Sequence, residues 1–310
     1  MSYSIVDVKP DTPEWLEERR RSVGASEVAA VMGLSKWATP LDIYKSKHGV
    51  DRPFDPQMAF WGHAAEPNLH KWVEQFGVPG VKLEQGFMAR RPDFPILHAS
   101  FDRVSRDPFL TWQMKTAHEF SSHHWDEGIP TEYRVQVQAE MHVAGTSRSA
   151  VVVLIGARDA RVYWENRDDR FINEQMIPAL EVFWHRVITH DPPDPSTLAE
   201  LNEVELHPGE EIEASETAVE MIERRAVLES DIASMREEAD ALKLALGNYM
   251  GSAEALTRDG QKILTFKYQK GRASFDAAAL KRDHPHLVND YTNVGAPFRV
   301  MRTIKPKEKK

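Results

Sequence analysis

The stretch HASFDRVSRDPFLTWQMKT, residues 98–116, constrains the fold more than any other part of the sequence. Its pattern predicts two short strands, the first ending at Asp102 and the second running over residues 110–115. Arg106-Asp107-Pro108 lies between them and has the composition of a turn. We therefore expect the second strand to fold back beside the first.

Alternation along the second strand predicts which side chains share a face. Thr111, Gln113 and Lys115 point to one side, and the apolar residues between them point to the other. With Asp102 at the end of the neighbouring strand, an acid, an amide and an ammonium group converge on one side of a small sheet. This combination indicates a candidate site for a metal ion and a water molecule.

The rest of the chain predicts helices first, followed by a mixed sheet that a helix crosses. Start and stop signals predict helices over 12–21, 39–49, 58–76 and 132–144, another from Asp168 or Asp169, and a short one capped by Ser26 and ending at Gly33. Strands are predicted over 82–90, 94–104, 110–116, 150–155 and 161–164. Pro67 is expected to kink the helix predicted over 58–76 or to mark its effective start. This order is typical of an α/β or α+β fold.

We divide the chain into a core over residues 1–190, a proline-rich acidic linker over 191–213, and a C-terminal part over 214–310. A long helix is predicted over 214–246. Its apolar stripe from Leu228 to Leu246 favours packing against the chain's own body over an oligomeric coiled coil. A strand pair, a helix from Asp276 and a last strand around 298–303 are expected after it.

Composition narrows the class of protein. The chain has no cysteine, which excludes disulfide frameworks and thiolate metal sites. It has neither a signal-peptide pattern nor an apolar run of the ~20 residues that a membrane span needs, so we expect a cytoplasmic protein with no membrane partner. The net charge is -9, and binding of nucleic acid would therefore depend on local basic groups such as Arg19-Arg20-Arg21 and the tail Lys305–Lys310.

The spacing of Asp102, Gln113 and Lys115 fits phosphodiester hydrolysis. A divalent cation needs hard oxygen ligands, which Asp102, the side chain of residue 113 and the carbonyl of Met114 could provide. Lys115 could position the attacking water, and Glu66 could bind the metal directly or through water. Taken alone, the same triplet also fits an ordinary polar surface strand.

Five motifs in sequence order raise the specificity of this interpretation over residues 12–190. They are Trp15 with Arg19 before Gly24-Ala25-Ser26-Glu27, then Trp61-Gly62-x-x-x-Glu66, Ser100-Phe101-Asp102, Gln113-Met114-Lys115, and Tyr133-x-x-Gln136-Val137-Gln138. In this order they resemble the lambda-exonuclease-like (YqaJ-type) viral recombinase family, a branch of the PD-(D/E)xK nucleases.

The resemblance implies a restriction-endonuclease-like core, a central mixed sheet flanked by helices, with a C-terminal helical arm and a small α/β extension. It implies that Asp102, Gln113, Met114 and Glu66 hold Mg²⁺, with Mn²⁺ as a possible substitute. Lys115 is then the catalytic lysine, and Gln136 reaches the site from a helix. The resemblance places the 5′-phosphate of a DNA end at Arg19 and Ser26. Independently, a helix start capped by Ser26 would attract phosphate, and arginine offers a forked donor.

The implied activity is 5′-to-3′ exonuclease action on linear double-stranded DNA, which leaves 3′ single strands for phage-type recombination. The resemblance further implies a ring-shaped homotrimer, a single-strand annealing recombinase as partner, and a phage or prophage protein in a bacterial host. Two alternatives remain open. One is an endonuclease or repair nuclease of the same fold, and the other is a catalytically weakened protein that binds DNA ends.

Two residues depart from the family pattern. Phe101 stands where the family usually has proline, and we expect little effect from this difference. Gln113 stands where the family usually has glutamate, so the site has one negative charge fewer and should hold Mg²⁺ more weakly. Gln113 is a natural variant that the fold tolerates, the mark of a protein that binds without cutting, or a deliberate glutamate substitution. The sequence leaves these three explanations open.

Overall fold

The computed structural model describes residues 3–10, 12–51, 55–295 and 298–304. The basic tail Lys305–Lys310 lies outside the described residues. The chain divides into two compact units, Met1–Leu201 and Asn202–Lys310. None of the described helices is both long and apolar enough to cross a membrane.

The first unit contains all the elements that surround the predicted site. Its strands are β1 (Ser4–Val6), β2 (Val23–Gly24), β3 (Leu83–Gln85), β4 (Met88–Arg91), β5 (Phe94–Ser100), β6 (Arg103–Arg106), β7 (Phe109–Ala117), β8 (Arg148–Ile155) and β9 (Asp159–Asn166). Its helices are α1 (Pro13–Arg20), α2 (Val28–Val31), α3 (Pro40–Lys47), α4 (Pro56–Trp72), α5 (Thr131–Ala144), α6 (Asp169–Phe171), α7 (Ile177–Thr189) and α8 (Leu198–Leu201). Short 3₁₀ segments cover Ala25–Glu27 and Glu119–Trp125, and wider π turns continue α4 over Val73–Gly77 and join α6 to α7 over Ile172–Met176.

Two sheets organise this unit within the described residues. One has the order β3-β6-β7-β8-β9, in which β7 and β8 run parallel and the other pairs are antiparallel. The other has the order β1-β4-β5-β2. The single strand predicted over 94–104 is therefore wrong, because β5 and β6 belong to different sheets. Phe101 and Asp102 form the junction between the two sheets.

Helices cover both faces of β7 and β8. Trp112 and Met114 pack with Leu69 and Val73 from α4 and the turn after it. On the other face, the buried side chains of β8 pack with Val137 of α5. The valine-rich β8 is buried on both faces because it is an interior strand of a covered sheet. The predicted α/β fold, with a central mixed sheet flanked by helices, is confirmed.

One local prediction about helices is wrong, and one of the two alternatives at Pro67 is excluded. Ser26 is exposed and does not cap a helix. Instead, Glu27 accepts a hydrogen bond from the backbone N–H of Gly24 at 2.7 Å, and this glycine precedes the 3₁₀ segment. Pro67 does not mark a helix start, because α4 begins at Pro56 and continues through it. Pro56 follows Asp55, whose carboxylate accepts from the N–H of Gln57 at 2.9 Å.

The second unit contains the predicted long helix, α9 (Glu216–Met250), which begins after the cap Ser215. It is followed by a hairpin of β10 (Ala255–Arg258) and β11 (Gln261–Thr265), and by α10 (Ala277–Asp283) and α11 (Pro285–Asp290). The described residues 298–304 form no strand, so the predicted last strand is wrong. The stripe from Leu228 to Leu246 is exposed on α9, and its packing partner stays a prediction.

Candidate active site

Asp102 lies at the junction between the two sheets, held by contacts to its backbone and side chain. Its Oδ2 accepts hydrogen bonds from Gln113 Nε2 at 2.6 Å and from the N–H of Met114 at 2.7 Å. Its carbonyl accepts from the N–H of Gly86 at 3.1 Å. A side chain at position 86 would place Cβ 1.8 Å from the carbonyl oxygen of Phe101, so this close crossing requires glycine. Gly86 therefore fixes Asp102 in place, although none of the sequence motifs includes this glycine.

Gln113 is buried and uses only half of its amide. Its Nε2 donates to Asp102, whereas its Oε1 has no hydrogen-bond partner among the described residues. This orientation follows from chemistry, since the carboxylate of Asp102 can accept from an amide nitrogen but cannot donate to an amide oxygen. A buried carbonyl without a partner costs on the order of 1–3 kcal/mol. The arrangement thus leaves a hard oxygen ligand free beside Asp102.

A row of polar side chains extends from β7 to α5. Lys115 Nζ donates to Gln136 Oε1 at 3.1 Å, and Gln136 Nε2 donates to Glu140 Oε1 at 2.8 Å. Lys115 Nζ also lies 4.9 Å from the centre of the Tyr133 ring. Gln136, which was predicted to reach the site from a helix, thus contacts Lys115. The row ends at Glu140, which the motif search missed although it lies one helical turn beyond Gln136 on the same face.

Glu66 reaches the same region from α4. Together with Lys115 it lines a pocket of about 230 Å³. Its Oε2 lies 3.4 Å from Nη1 of Arg103, which also donates to the carbonyl of Asp102 at 2.5 Å. Arg103 is buried and was not among the predicted site residues. It ties the helix-borne acid to the junction between the sheets.

Burial raises the pKa of all three acids in this region. It raises the pKa of Asp102, although part of this residue remains open to solvent, and Lys115 and the N–H of Met114 oppose the shift. Burial and the charge of Asp102 raise the pKa of Glu66 and also that of Glu140. Arg103 opposes the shift at Glu66, and Lys115 opposes it at both. Three acids share a poorly solvated region with two cations, an arrangement that attracts further positive charge.

The donor set fits a hard divalent cation. The Asp102 carboxylate, the free Oε1 of Gln113 and the carbonyl of Met114 are all oxygen ligands, the type that Mg²⁺ prefers. Within the described residues, no three His, Cys, Asp or Glu side chains are grouped as a ready metal site. The described candidate therefore combines one carboxylate with neutral oxygens, and the acids Glu66 and Glu140 stand on the two flanking helices.

Arg19 occupies a second polar cluster, which we name the Glu27 cluster and define by Arg19, Glu27 and Lys47. Arg19 Nη2 lies 3.4 Å from Glu27 Oε1, and its guanidinium stacks 4.7 Å from the centre of the Trp15 ring. Lys47 Nζ lies 2.5 Å from Glu27 Oε2 and donates to the carbonyl of Arg19 at 2.9 Å. Arg19 is thus held in one orientation, while the neighbouring Ser26 remains exposed.

The 3₁₀ segment that carries Ser26 contacts β5 and α5. Strand β5 leads into Asp102, and α5 carries Gln136. The same two elements therefore support the Glu27 cluster and the polar groups around Asp102. Burial, followed by the charge of Arg19, lowers the pKa of His98 on β5 to about 3, and Ser22 Oγ lies 2.8 Å from its Nδ1. The assignment of Arg19 and Ser26 to a 5′-phosphate stays a prediction.

Comparisons with known proteins agree with the motifs. A family model described as the YqaJ-like viral recombinase domain matches residues 14–147. The uncharacterized protein YqaJ of Bacillus subtilis (strain 168) is 28% identical over 256 residues, which cover 78% of this chain and 79% of that protein.

Two solved structures are also similar. An alkaline exonuclease, LHK-Exo, from Laribacter hongkongensis has a TM-score of 0.49 at 20% identity, covering 58% of this chain and 94% of that chain. A phage related exonuclease from Haemophilus somnus 129PT has a TM-score of 0.44 at 14% identity, covering 55% of this chain and 96% of that chain. The residues from Arg19 to Glu140 described above all fall within residues 14–147, the part of this chain that is similar to the YqaJ-like viral recombinase domain.

Proposed function

We propose that this protein is a metal-dependent deoxyribonuclease that shortens linear double-stranded DNA from a 5′ end and leaves a 3′ single strand for recombination. The observation that carries the proposal is the free Oε1 of Gln113 beside Asp102, with Lys115 on the same face of β7. This combination provides oxygen ligands and an ammonium group at one place. The YqaJ-like domain supports the assignment to DNA recombination.

Each residue of the site has a role in this chemistry. Mg²⁺, when bound, would neutralise phosphate charge and lower the pKa of a water molecule. Asp102, Gln113 and the Met114 carbonyl would hold it, with Glu66 acting directly or through water. Lys115 would orient the attacking water and stabilise the charge that develops on the phosphate. Gln136 would keep Lys115 in position through the 3.1 Å hydrogen bond.

The finer parts of the proposal concern the DNA end and the assembly. Arg19, held against Trp15 and Glu27, would bind a 5′-phosphate together with Ser26. A homotrimeric ring around DNA, with a basic lumen and an acidic outer surface, would reconcile DNA binding with a net charge of -9. A single-strand annealing recombinase would take up the 3′ strand, and a phage or prophage origin fits such a pair.

A second candidate function is the binding of DNA ends with little cleavage. Gln113 favours it, because its Nε2 already donates to Asp102 Oδ2 at 2.6 Å. A cation must displace this hydrogen bond to bind. The neutral amide oxygen attracts the cation less strongly than a carboxylate would. Gln113→Glu removes the donor and adds a charge, so it separates the two candidates.

The test uses a fluorescent duplex with one 5′-phosphorylated end, in Mg²⁺ and in Mn²⁺, with the wild-type protein and the variants Gln113→Glu and Asp102→Asn. We expect stepwise release of mononucleotides by wild type, faster release by Gln113→Glu, and loss of release in Asp102→Asn. Internal cuts would instead support an endonuclease. Binding without cleavage by both wild type and Gln113→Glu would contradict the nuclease assignment and support end binding.

Arg19→Ala tests the end-recognition part. We expect the preference for 5′-phosphorylated over 5′-hydroxyl ends to fall by about 10- to 100-fold, since a hydrogen bond to a charged group contributes about 1.5–3 kcal/mol. Arg170→Ala is the matched control, because Arg170 is an exposed arginine on another helix that pairs with Glu174 at 3.0 Å. An unchanged preference in Arg19→Ala would refute the role assigned to Arg19.

A further inference from the structure

Glu140 is an ionisable side chain buried inside the first unit, with only 1% of its surface exposed. Its Oε1 accepts a hydrogen bond from Gln136, whereas its Oε2 is buried and has no partner in the described part of the chain. The neighbouring positions Val137, Ala139 and Met141 on α5 are apolar and fully buried. An apolar residue could satisfy packing at position 140, so the fold alone gives no reason for an acid there.

The orientation of Gln136 shows that Glu140 belongs to the site. Gln136 Oε1 accepts from the ammonium group of Lys115, and its Nε2 must therefore face the carboxylate of Glu140. One amide thus fixes the catalytic lysine on one side and the buried acid on the other. Glu140 is also close enough to interact electrostatically with both Asp102 and Lys115.

Glu140 and the charged side chains around it carry a net negative charge. Arg103 pairs with Glu66 at 3.4 Å. The remaining charged groups that interact with Glu140 are Asp102, an acid, and Lys115, a base. The two carboxylates repel each other in this poorly solvated region, and the single positive charge of Lys115 leaves the three groups with a net negative charge.

We propose that Glu140 supplies, from helix α5, the second negative charge of the cation site that the neutral side chain of Gln113 does not supply. This inference rests on the proposed metal-dependent function and names a residue beyond those the motifs indicate. In this account the second acid lies on the flanking helix and not on the strand, and Gln136 connects it to Lys115. The free Oε2 of Glu140 and the free Oε1 of Gln113 are the two buried oxygens that the cation and its bound water would satisfy.

The inference is tested by calorimetric titration of Mn²⁺ and of Mg²⁺ into the full-length protein without DNA. We compare wild type with Glu140→Gln, with the double variant Gln113→Glu/Glu140→Gln, and with Glu132→Gln. The last is a matched control, because it removes one acid from the first turn of the same helix. We expect Glu140→Gln to weaken cation binding by about 10- to 100-fold, as is usual when a residue that supports a metal site is lost. The double variant returns a carboxylate to the strand and should recover most of this loss, and Glu132→Gln should bind like wild type.

Thermal melts of the same samples show that each variant is folded before its affinity is compared. Wild-type affinity in Glu140→Gln would overturn the inference while leaving the proposed function intact. Failure of the double variant to recover affinity, with Glu140→Gln impaired, would also overturn it, because the role would then not be one of charge. Absence of cation binding in wild type and in every variant would refute the proposed metal-dependent function together with this inference.

Discussion

The first unit contains two buried polar clusters that differ in how completely they are satisfied. In the Glu27 cluster, the carboxylate of Glu27 is contacted by Arg19, by Lys47 and by the N–H of Gly24. In the second cluster, which we name the acidic pocket and define by Asp102, Gln113, Lys115, Gln136 and Glu140, two buried oxygens have no partner among the described residues. A cluster that satisfies itself stabilises the fold, whereas the unpaired oxygens of the acidic pocket favour the cation site that we propose.

The net pKa shifts of the acids in the two clusters have opposite signs. Burial raises the pKa of Glu27, but Lys47 and Arg19 more than reverse this, and the pKa ends below its usual range. In the acidic pocket, burial dominates over Lys115 and the pKa values of Asp102 and Glu140 rise. The difference arises because two cations outweigh burial at the one acid of the Glu27 cluster, whereas burial outweighs Lys115 and Arg103 at Asp102 and Lys115 at Glu140.

The largest expected effect is on catalysis, from Lys115→Ala in the acidic pocket. Loss of the ammonium group should reduce the rate of DNA cleavage by about 10²- to 10⁴-fold, the usual range when a positioned catalytic group is removed. The melting temperature should also fall, because Lys115 favours the charged forms of Asp102 and Glu140, so cleavage is compared at a temperature at which the variant is folded. Lys82→Ala, which removes an exposed lysine on the same unit, is the control. A cleavage rate within a few-fold of wild type would remove Lys115 from the mechanism.

The second effect concerns stability and belongs to the Glu27 cluster. Lys47→Met leaves the buried carboxylate of Glu27 without its closest cation, and the free energy of unfolding should fall by about 3–5 kcal/mol. Urea denaturation followed by circular dichroism measures this loss. The double variant Glu27→Gln/Lys47→Met removes both charges and should recover part of the stability. If Lys47→Met lowered the free energy of unfolding by less than about 1 kcal/mol, the difference that we describe between the two clusters would be contradicted.

The third and smallest effect is the pH dependence of stability that Glu140 causes in metal-free protein. Its pKa is raised in the folded state, so the folded protein binds more protons than the unfolded chain between the two pKa values. Stability is therefore fully present below the unfolded pKa and is lost as the pH rises through the folded pKa. Glu140→Gln removes this loss and should raise the melting temperature at pH 8 more than at pH 4. A gain on the order of 1 kcal/mol corresponds to about 2–4 °C for a unit of this size. An equal change at both pH values would contradict the assignment.

Local signals predicted the features that depend on neighbouring residues. Thr12 and Thr39 cap α1 and α3, and Gly145 ends α5, because a hydroxyl or a left-handed glycine acts within one turn. Alternation along β7 correctly predicted that Gln113 and Lys115 face the same site. These parts could be read from the sequence because strand and helix periodicity are independent of the rest of the fold.

Features that depend on distant residues escaped prediction. The break between β5 and β6 arises where Gly86 crosses the backbone of Phe101, and nothing near residue 101 indicates this crossing. The error at Ser26 has a local cause instead: the 3₁₀ segment already begins at Ala25, and the side chain of Glu27 reaches the N–H of Gly24. Glu140 could be noticed from its spacing to Gln136, but its unpaired oxygen is a property of tertiary packing.

The central claim is that the acidic pocket binds a divalent cation, and anomalous diffraction from crystals grown with Mn²⁺ tests it most directly. We predict an anomalous peak about 2.0–2.6 Å from both the Asp102 carboxylate and Gln113 Oε1, the range of divalent cation–oxygen bonds in proteins. The Gln113 amide nitrogen should then no longer donate to Asp102. Strong peaks elsewhere on the protein, with none at this pocket, would contradict the account.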